Sequence, residues 1–357
     1  MKKRQEKAAN LRFKSKIPEK QARLIGFIIV LPVFFFLFYK IFAYVDRNTV
    51  SAQQFVDLQQ GKIPHAGFRR AHAKGSCITG VFESNGALST YTSATVLQTG
   101  THPFVGRFSI SGNDPSAPDL QSPVRSLALS MSDSGNSQNS EWRMAMNTPP
   151  VMPVATPEAF YAQLTAMAPD PETKQANPQR IQQFFKDHPE TSAFLDWKQS
   201  YVPSNSFAAE TYHSINAFYL LNKEGDKRAF RWRLEPSSAE QFPELDTAKP
   251  DALQAQLIEI LSTGDIRFNF LVTLAEATDD ENNPTILWPP ERTSISAGQI
   301  VIQRHAEQGM CQDRNFDPLV LPQGVEPSAD PILRARSAAY AESFRRRASD
   351  VLFEGGR

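Results

Sequence analysis

Residues 69–82 read Arg-Arg-Ala-His-Ala-Lys-Gly-Ser-Cys-Ile-Thr-Gly-Val-Phe. A basic turn carrying one histidine runs into a segment, Ile78 to Phe82, that alternates as a half-buried strand does. The text beyond stays β-rich and irregular. Val105-Gly106-Arg107-Phe108-Ser109-Ile110 alternates too, between Gly, Pro and Ser/Asn clusters, and Ser130–Ser140 is polar enough to read as a loop. Ala217–Asn222 and Arg228–Glu235 form a hairpin around Glu224-Gly225-Asp226, and Ile266–Leu274 is an alternating strand. Helices fall between and after these. Ala52–Gln59 has a short helical pattern. Thr156-Pro157-Glu158 opens a helix with an N-cap candidate and a first-turn proline. Asn177-Pro178 opens another, through Phe184 and Phe185 to His188-Pro189. Asp251–Leu261 is amphipathic, and Asp330 to Arg347 reads as a last helix with very basic later turns. Strands first, with helices inserted and terminal, predict an α+β fold: a closed antiparallel β-barrel with helical insertions.

The 357 residues are 41% hydrophobic and include 25 Phe, which excludes disorder and argues for an aromatic core. No repeat of solenoid length is present. Formal charge is zero, 38 basic against 38 acidic residues, but nine of the basic residues and only two acids lie in residues 1–23. The remainder is mildly acidic, which argues against a nucleic-acid partner. Two cysteines make neither a disulfide framework nor a structural zinc site. Cys77 reads as a small buried hydrophobe and Cys311 lies in a loop. A disulfide needs Cα atoms within about 7 Å, nothing local brings them together, and two free thiols are expected.

Leu24–Val45 (LIGFIIVLPVFFFLFYKIFAYV) is apolar except for Lys40. About 20 such residues match a bilayer core, and the bulky exit at Ile41–Asp46 lacks the small residues of a cleavage site. The positive flank before it places that side in the cytoplasm. The expected organisation is a basic cytoplasmic tail (1–23), a transmembrane anchor in the lipid bilayer (24–45), a linker with a short helix (46–62) and a body (63–357). In a bacterium this puts the body on the periplasmic side of the inner membrane.

Three segments could carry chemistry. His72 beside Arg69 and Arg70 would have its protonated form disfavoured and could act as a base, although such a turn alone is more often merely solvated. Arg336 and Tyr340 stand at i and i+4 on one helix face. A fixed cation there favours phenolate, and a tyrosinate is one known axial ligand of haem iron, although most such pairs are surface contacts. Glu141 to Pro149 (EWRMAMNTP) is a strand leading to an amide, Asn147, and says little alone.

Together, the sequence resembles the haem catalase family, most closely its short branch, the catalase-related peroxidases. The carrying text is Arg69–Gly75, Arg107-Phe108-Ser109, Asn147 with its prolines, Trp288-Pro289, Phe316-Asp317-Pro318, and Ser328-Ala329-Asp330-Pro331-Ile332-Leu333-Arg334-Ala335-Arg336 running into Tyr340. The order matches over roughly residues 51–347. The resemblance implies that His72 and Asn147 are the distal pair that handles peroxide, with Ser109 fixing the imidazole. Tyr340 would be the iron ligand on a C-terminal proximal haem helix, with Arg336 its charge partner. Arg69, Arg107 and Arg347 would meet the haem propionates, as planar guanidiniums pair with carboxylates.

Departures matter as well. Met152-Pro153 stands where the family has a Phe pair, thinning the expected aromatic lining, and Ala71 replaces a bulkier aliphatic. Only 17 residues follow Tyr340, so no NADPH site is expected, and without the tetramer-lacing arm a catalase-type tetramer is not expected either. The resemblance implies a haem b peroxidase, active in the oxidative stress response, that reduces hydrogen peroxide or organic peroxides with a small organic electron donor and has weak catalase activity. Two alternatives stand beside it: a haem enzyme that rearranges fatty-acid hydroperoxides, and a non-catalytic membrane-tethered haem-binding module. Retention of His72 and Asn147 weighs against the second.

Overall fold

The computed structural model describes residues 49–132, 141–170, 172–173, 175–239 and 242–354. The apolar run Leu24–Val45 and the basic tail before it lie outside these residues. Among the described residues no helix is long and apolar enough to cross a membrane.

Among the described residues, ten strands form one antiparallel sheet: β1 (Gly75–Ser84), β2 (Gly100–Ile110), β3 (Arg125–Ser132), β4 (Glu141–Asn147), β5 (Tyr212–His213), β6 (Phe218–Leu221), β7 (Lys227–Pro236), β8 (Ile266–Leu274), β9 (Ser294–His305) and β10 (Val325–Pro327). The order runs β10-β6-β7-β5-β4-β3-β2-β1-β9-β8, and β8 also pairs with β7. That second pairing closes eight strands into a barrel. β6 and β10 extend the sheet from the first half of β7. Ser130–Ser132, read as loop, belong to β3, where Met131 is fully buried and pairs with Trp142.

Aromatic residues fill the barrel. Trp142 meets Trp232 with ring centroids 5.3 Å apart and Phe270 at 5.9 Å, and Phe108 stacks on Phe207 at 5.0 Å. Such pairs each add about 0.5–1.5 kcal/mol beyond burial of their area.

The helices are α1 (Ala52–Gln60), α2 (Pro157–Met167), α3 (Pro178–Asp187), α4 (Ser192–Ser200), α5 (Ala252–Thr263), α6 (Gln308–Gln312) and α7 (Pro331–Glu354). Thr156 caps α2 by accepting from Ala159 N, and Asn177 caps α3. Ser51 forms a capping box with Gln54 at the start of α1. α1 is joined to α7 by the Arg346–Asp57 ion pair at 2.6 Å.

The free-thiol expectation is overturned: Cys77 and Cys311 form a disulfide with Cα atoms 5.8 Å apart. β9 runs antiparallel to β1 and ends with His305 opposite Ile78, and Ala306 N then donates to Cys77 O. The chain is thereby delivered beside Cys77, and the first turns of α6 bring Cys311 onto it. The bond spans 234 residues, and loss of a native disulfide typically costs about 2–5 kcal/mol. Replacing both cysteines by serine should lower the unfolding free energy by that amount in a denaturant titration. Equal midpoints for the two chains would contradict the bond.

Candidate active site

His72 lies in the loop before β1, three residues ahead of Gly75, with φ 55°, a left-handed conformation uncommon outside glycine. Such a backbone persists only when its surroundings fix it. Here Arg107, from β2, does so: its Nη1 donates to His72 O and its Nη2 to Ala73 O, each at 2.9 Å, while Ala73 N donates to Gly112 O at 3.0 Å.

Asn147 is the last residue of β4. Strand register sets Ser109 of β2 opposite Ser126 of β3, and Ser126 opposite Asn147. Directly paired residues share a face, so the three side chains form a row beside His72. Ser126 Oγ donates to Asn147 Oδ1 and lies 3.3 Å from His72 Nδ1. No hydrogen bond joins Ser109 to the ring; Ser109 lines the same cavity one strand away. The His72 imidazole is held down at about 4, first by burial and then by the charges of Arg107, Arg336 and Arg69, against a backbone hydrogen bond at Ile110. It is therefore neutral at pH 7 and able to accept a proton.

α7 forms another wall. Asp330 caps it, accepting from Ile332 N at 2.8 Å, and its other oxygen accepts from Asn216 Nδ2 at 2.6 Å. Burial pushes the Asp330 carboxyl up, against the hydrogen bonds from Asn216 and the helix backbone. Asn216 Oδ1 accepts from Arg336 Nη1, and Arg336 Nη2 donates to Ala145 O at 2.8 Å. The guanidinium thus ties α7 to β4 two residues before Asn147. Tyr340 stands one turn further along the helix, as the i, i+4 spacing predicts.

The cavity between these walls is lined by His72, Ser126, Asn147, Phe160, Arg336 and Tyr340, among others, with about 1380 Å³ of empty space including its mouth. Arg69, Arg107 and Arg347 border it. Arg69 donates to Cys311 O at 2.8 Å and Arg314 O at 3.1 Å, and Arg347 donates to Gln312 O at 2.9 Å. None of the three has a carboxylate within ion-pair distance among the described residues. Burial, then Arg107 and Arg347, depresses Arg69 strongly; burial, then Arg347, brings Arg107 to about 10; burial brings Arg347 to about 10, against the charge of Asp313 and with a smaller contribution from Arg70.

Met152 lies in the cavity wall where the resemblance placed a thinned lining. Two aromatics from the helices cover that side: Phe55 of α1 and Phe160 of α2, ring centroids 5.3 Å apart.

The family model described as catalase matches residues 45–353. The chain belongs to the catalase family. The catalase-related peroxidase of Synechococcus elongatus is 34% identical over 288 residues, which is 79% of this chain and 84% of that one. A second catalase-related peroxidase, from Mycolicibacterium paratuberculosis, is 29% identical and matched over 89% of its length. The catalase of Sus scrofa is 25% identical, with only 59% of its length matched. Solved structures of a bacterial and a fungal catalase superpose with TM-scores of 0.70 and 0.69, covering 80% and 79% of this chain; at 19% identity they show the shared fold alone. As a catalase-family member with catalase-related peroxidase relatives, the protein is an oxidoreductase acting on peroxide.

The catalase family implies haem, and the residues present fit it. The cavity offers a phenol oxygen from α7 and an imidazole and amide from the strands. Three neighbouring guanidiniums have no carboxylate within ion-pair distance among the described residues, and Arg107 Nε is buried there without a hydrogen-bond partner. A planar group bearing two carboxylates would answer both features. Sequence reasoning missed Asn216 and Ser126. Asn216 meets its partners 114 and 120 residues away, so no local spacing marks it.

Proposed function

We propose that the protein is a haem b peroxidase that reduces hydrogen peroxide or organic peroxides with an organic electron donor, with weak catalase activity beside it. The carrying observation is the convergence of a neutral, buried His72 and Asn147 on the cavity that Tyr340 also lines. Simple haem storage needs neither distal group.

Bound haem supplies the iron and the electrons that cleave the peroxide O–O bond, and Tyr340 oxygen would hold that iron from the α7 side. His72 Nε2 takes the proton from one peroxide oxygen and delivers it to the departing one, acting as base and then acid. Asn147 Nδ2 donates to the peroxide and fixes its position. Arg69, Arg107 and Arg347 would pair with the haem carboxylates and fix its rotation in the cavity. Ala71, Met152, Phe55 and Phe160 give the cavity an apolar wall, which supports an organic donor. Haem-loaded protein should oxidise phenolic dyes faster than it evolves oxygen from peroxide; oxygen evolution with much higher turnover would overturn the donor assignment.

The sign of the pH dependence follows from His72. A base depressed to about 4 is available through neutral pH and is lost as pH falls through about 4. The rate of peroxide activation should therefore stay flat down to that limb. A limb at the ordinary histidine value of 6.5 would contradict the environment described.

The Leu24–Val45 run supports a single-pass anchor with the body outside the cytoplasm. The Cys77–Cys311 bond supports an oxidising compartment. Protease added to spheroplasts should digest the body; a protected body would reverse the orientation.

A further inference from the structure

Ser126 touches both distal groups, and its hydroxyl carries a single proton. That proton is committed to Asn147 Oδ1. The 3.3 Å contact with His72 Nδ1 must therefore run the other way, with Nδ1–H donating to Ser126 Oγ. Two consequences follow from this one direction. The ring proton sits on Nδ1, leaving Nε2 bare, and the amide oxygen is occupied, leaving the Nδ2 protons for the cavity. From these contacts we propose that Ser126 is the positioning residue that sets the tautomer of His72 and the orientation of Asn147 together.

The backbone is built to keep Ser126 there. Arg125 N donates to Thr148 Oγ1 at 3.3 Å, and Thr148 N donates to Arg125 O at 3.0 Å. These bonds flank the Ser126–Asn147 pair and pin the β3–β4 register, and a slip of one residue would turn Ser126 to the other face. Arg125 is itself fixed by a buried ion pair with Glu210 at 2.7 Å. Ser126 lines the cavity beside His72 and is the imidazole's side-chain partner, next to the backbone hydrogen bond at Ile110. The resemblance assigned the histidine-fixing role to Ser109, one strand away; the geometry assigns it to Ser126.

The proposal rests on the peroxidase reading for its catalytic consequence, but the tautomer it predicts does not need haem. In the haem-free full chain labelled with 15N-histidine, the His72 resonances, identified by their loss in His72→Ala, should report the Nδ1–H tautomer. Ser126→Ala should shift them toward the Nε2–H form or a mixture, and Ser126→Thr, which keeps the hydroxyl, should restore them. In the haem-loaded chain, cyanide is the probe, because hydrogen cyanide must give up its proton to a base as it binds. Its association rate should fall roughly 10–100-fold in Ser126→Ala, the usual cost of removing a partner that orients a working group. The fall should exceed that in Ser109→Ala, and the rate should recover in Ser126→Thr, with melting temperature and haem absorption unchanged. The same tautomer in wild type and Ser126→Ala overturns the proposal, as does a larger loss in Ser109→Ala. A chain with the expected tautomers that fails to turn over peroxide refutes the peroxidase reading and leaves the positioning role standing.

Discussion

Tyr340→Phe should abolish the native haem absorption spectrum while leaving the fold intact. Only a hydroxyl is lost, and Tyr340 makes no hydrogen bond that α7 depends on. The helix is held elsewhere, by the Asp330 cap, by Arg336 to Asn216 and Ala145, and by Arg346 to Asp57. Circular dichroism and melting should be unchanged within error. Haem affinity should fall by orders of magnitude, or the spectrum should convert to that of another axial ligand. A variant that keeps both the wild-type spectrum and the wild-type affinity removes Tyr340 from the iron.

His72→Ala tests the other wall and should give the opposite phenotype: haem retained, peroxide activation lost. General acid–base groups contribute roughly 10²–10⁴-fold, and His72 is asked to supply both halves of one proton transfer. The Arg107 guanidinium donates to His72 O and Ala73 O, and Ala73 N donates to Gly112 O; none of these bonds uses the imidazole, so truncation leaves the loop in place. Alanine at this left-handed position costs some stability, and melting should report it separately from rate. Stopped-flow mixing with peroxide should show the loss directly; equal rates in wild type and variant would dispose of the role.

The parts of the fold legible in the sequence were those with strong local periodicity or capping. Ile266–Leu274 was read to the residue, and the caps at Thr156 and Asn177 mark helices where expected. Strand β9 was not read. It opens Ser-Ile-Ser-Ala-Gly-Gln, with little alternation, and its register with β8 shifts at Phe270/Leu271 beside Gly298. At φ 130° and with a Cβ there 2.0 Å from Glu83 O, that position admits only glycine, and a glycine inside a strand weakens its signal. The missed strand explains the missed disulfide, because only the β1–β9 pairing brings Cys311 to Cys77. α4 went unread as well.

The site divides along the same line. Arg336 and Tyr340 are legible because helical spacing alone places them one turn apart. His72 stands out locally only as a histidine in a basic turn, and its distal role, with those of Ser109 and Asn147, is carried by resemblance, since a loop and two separate strands bring the three together. Ser126 could not be found from either source. Its function depends on its position opposite Asn147, which is a property of strand register and not of the residues next to it in sequence.

The central claim is that one cavity holds haem between Tyr340 and the His72–Asn147 pair and turns it on peroxide. Its most direct test is the absorption spectrum of the full chain reconstituted with haem and then titrated with hydrogen peroxide. The account predicts one haem bound per chain, and conversion to a new spectrum by one equivalent of peroxide that an organic donor then reverses. Failure to bind haem stoichiometrically, or a bound haem whose spectrum peroxide leaves unchanged, would contradict it.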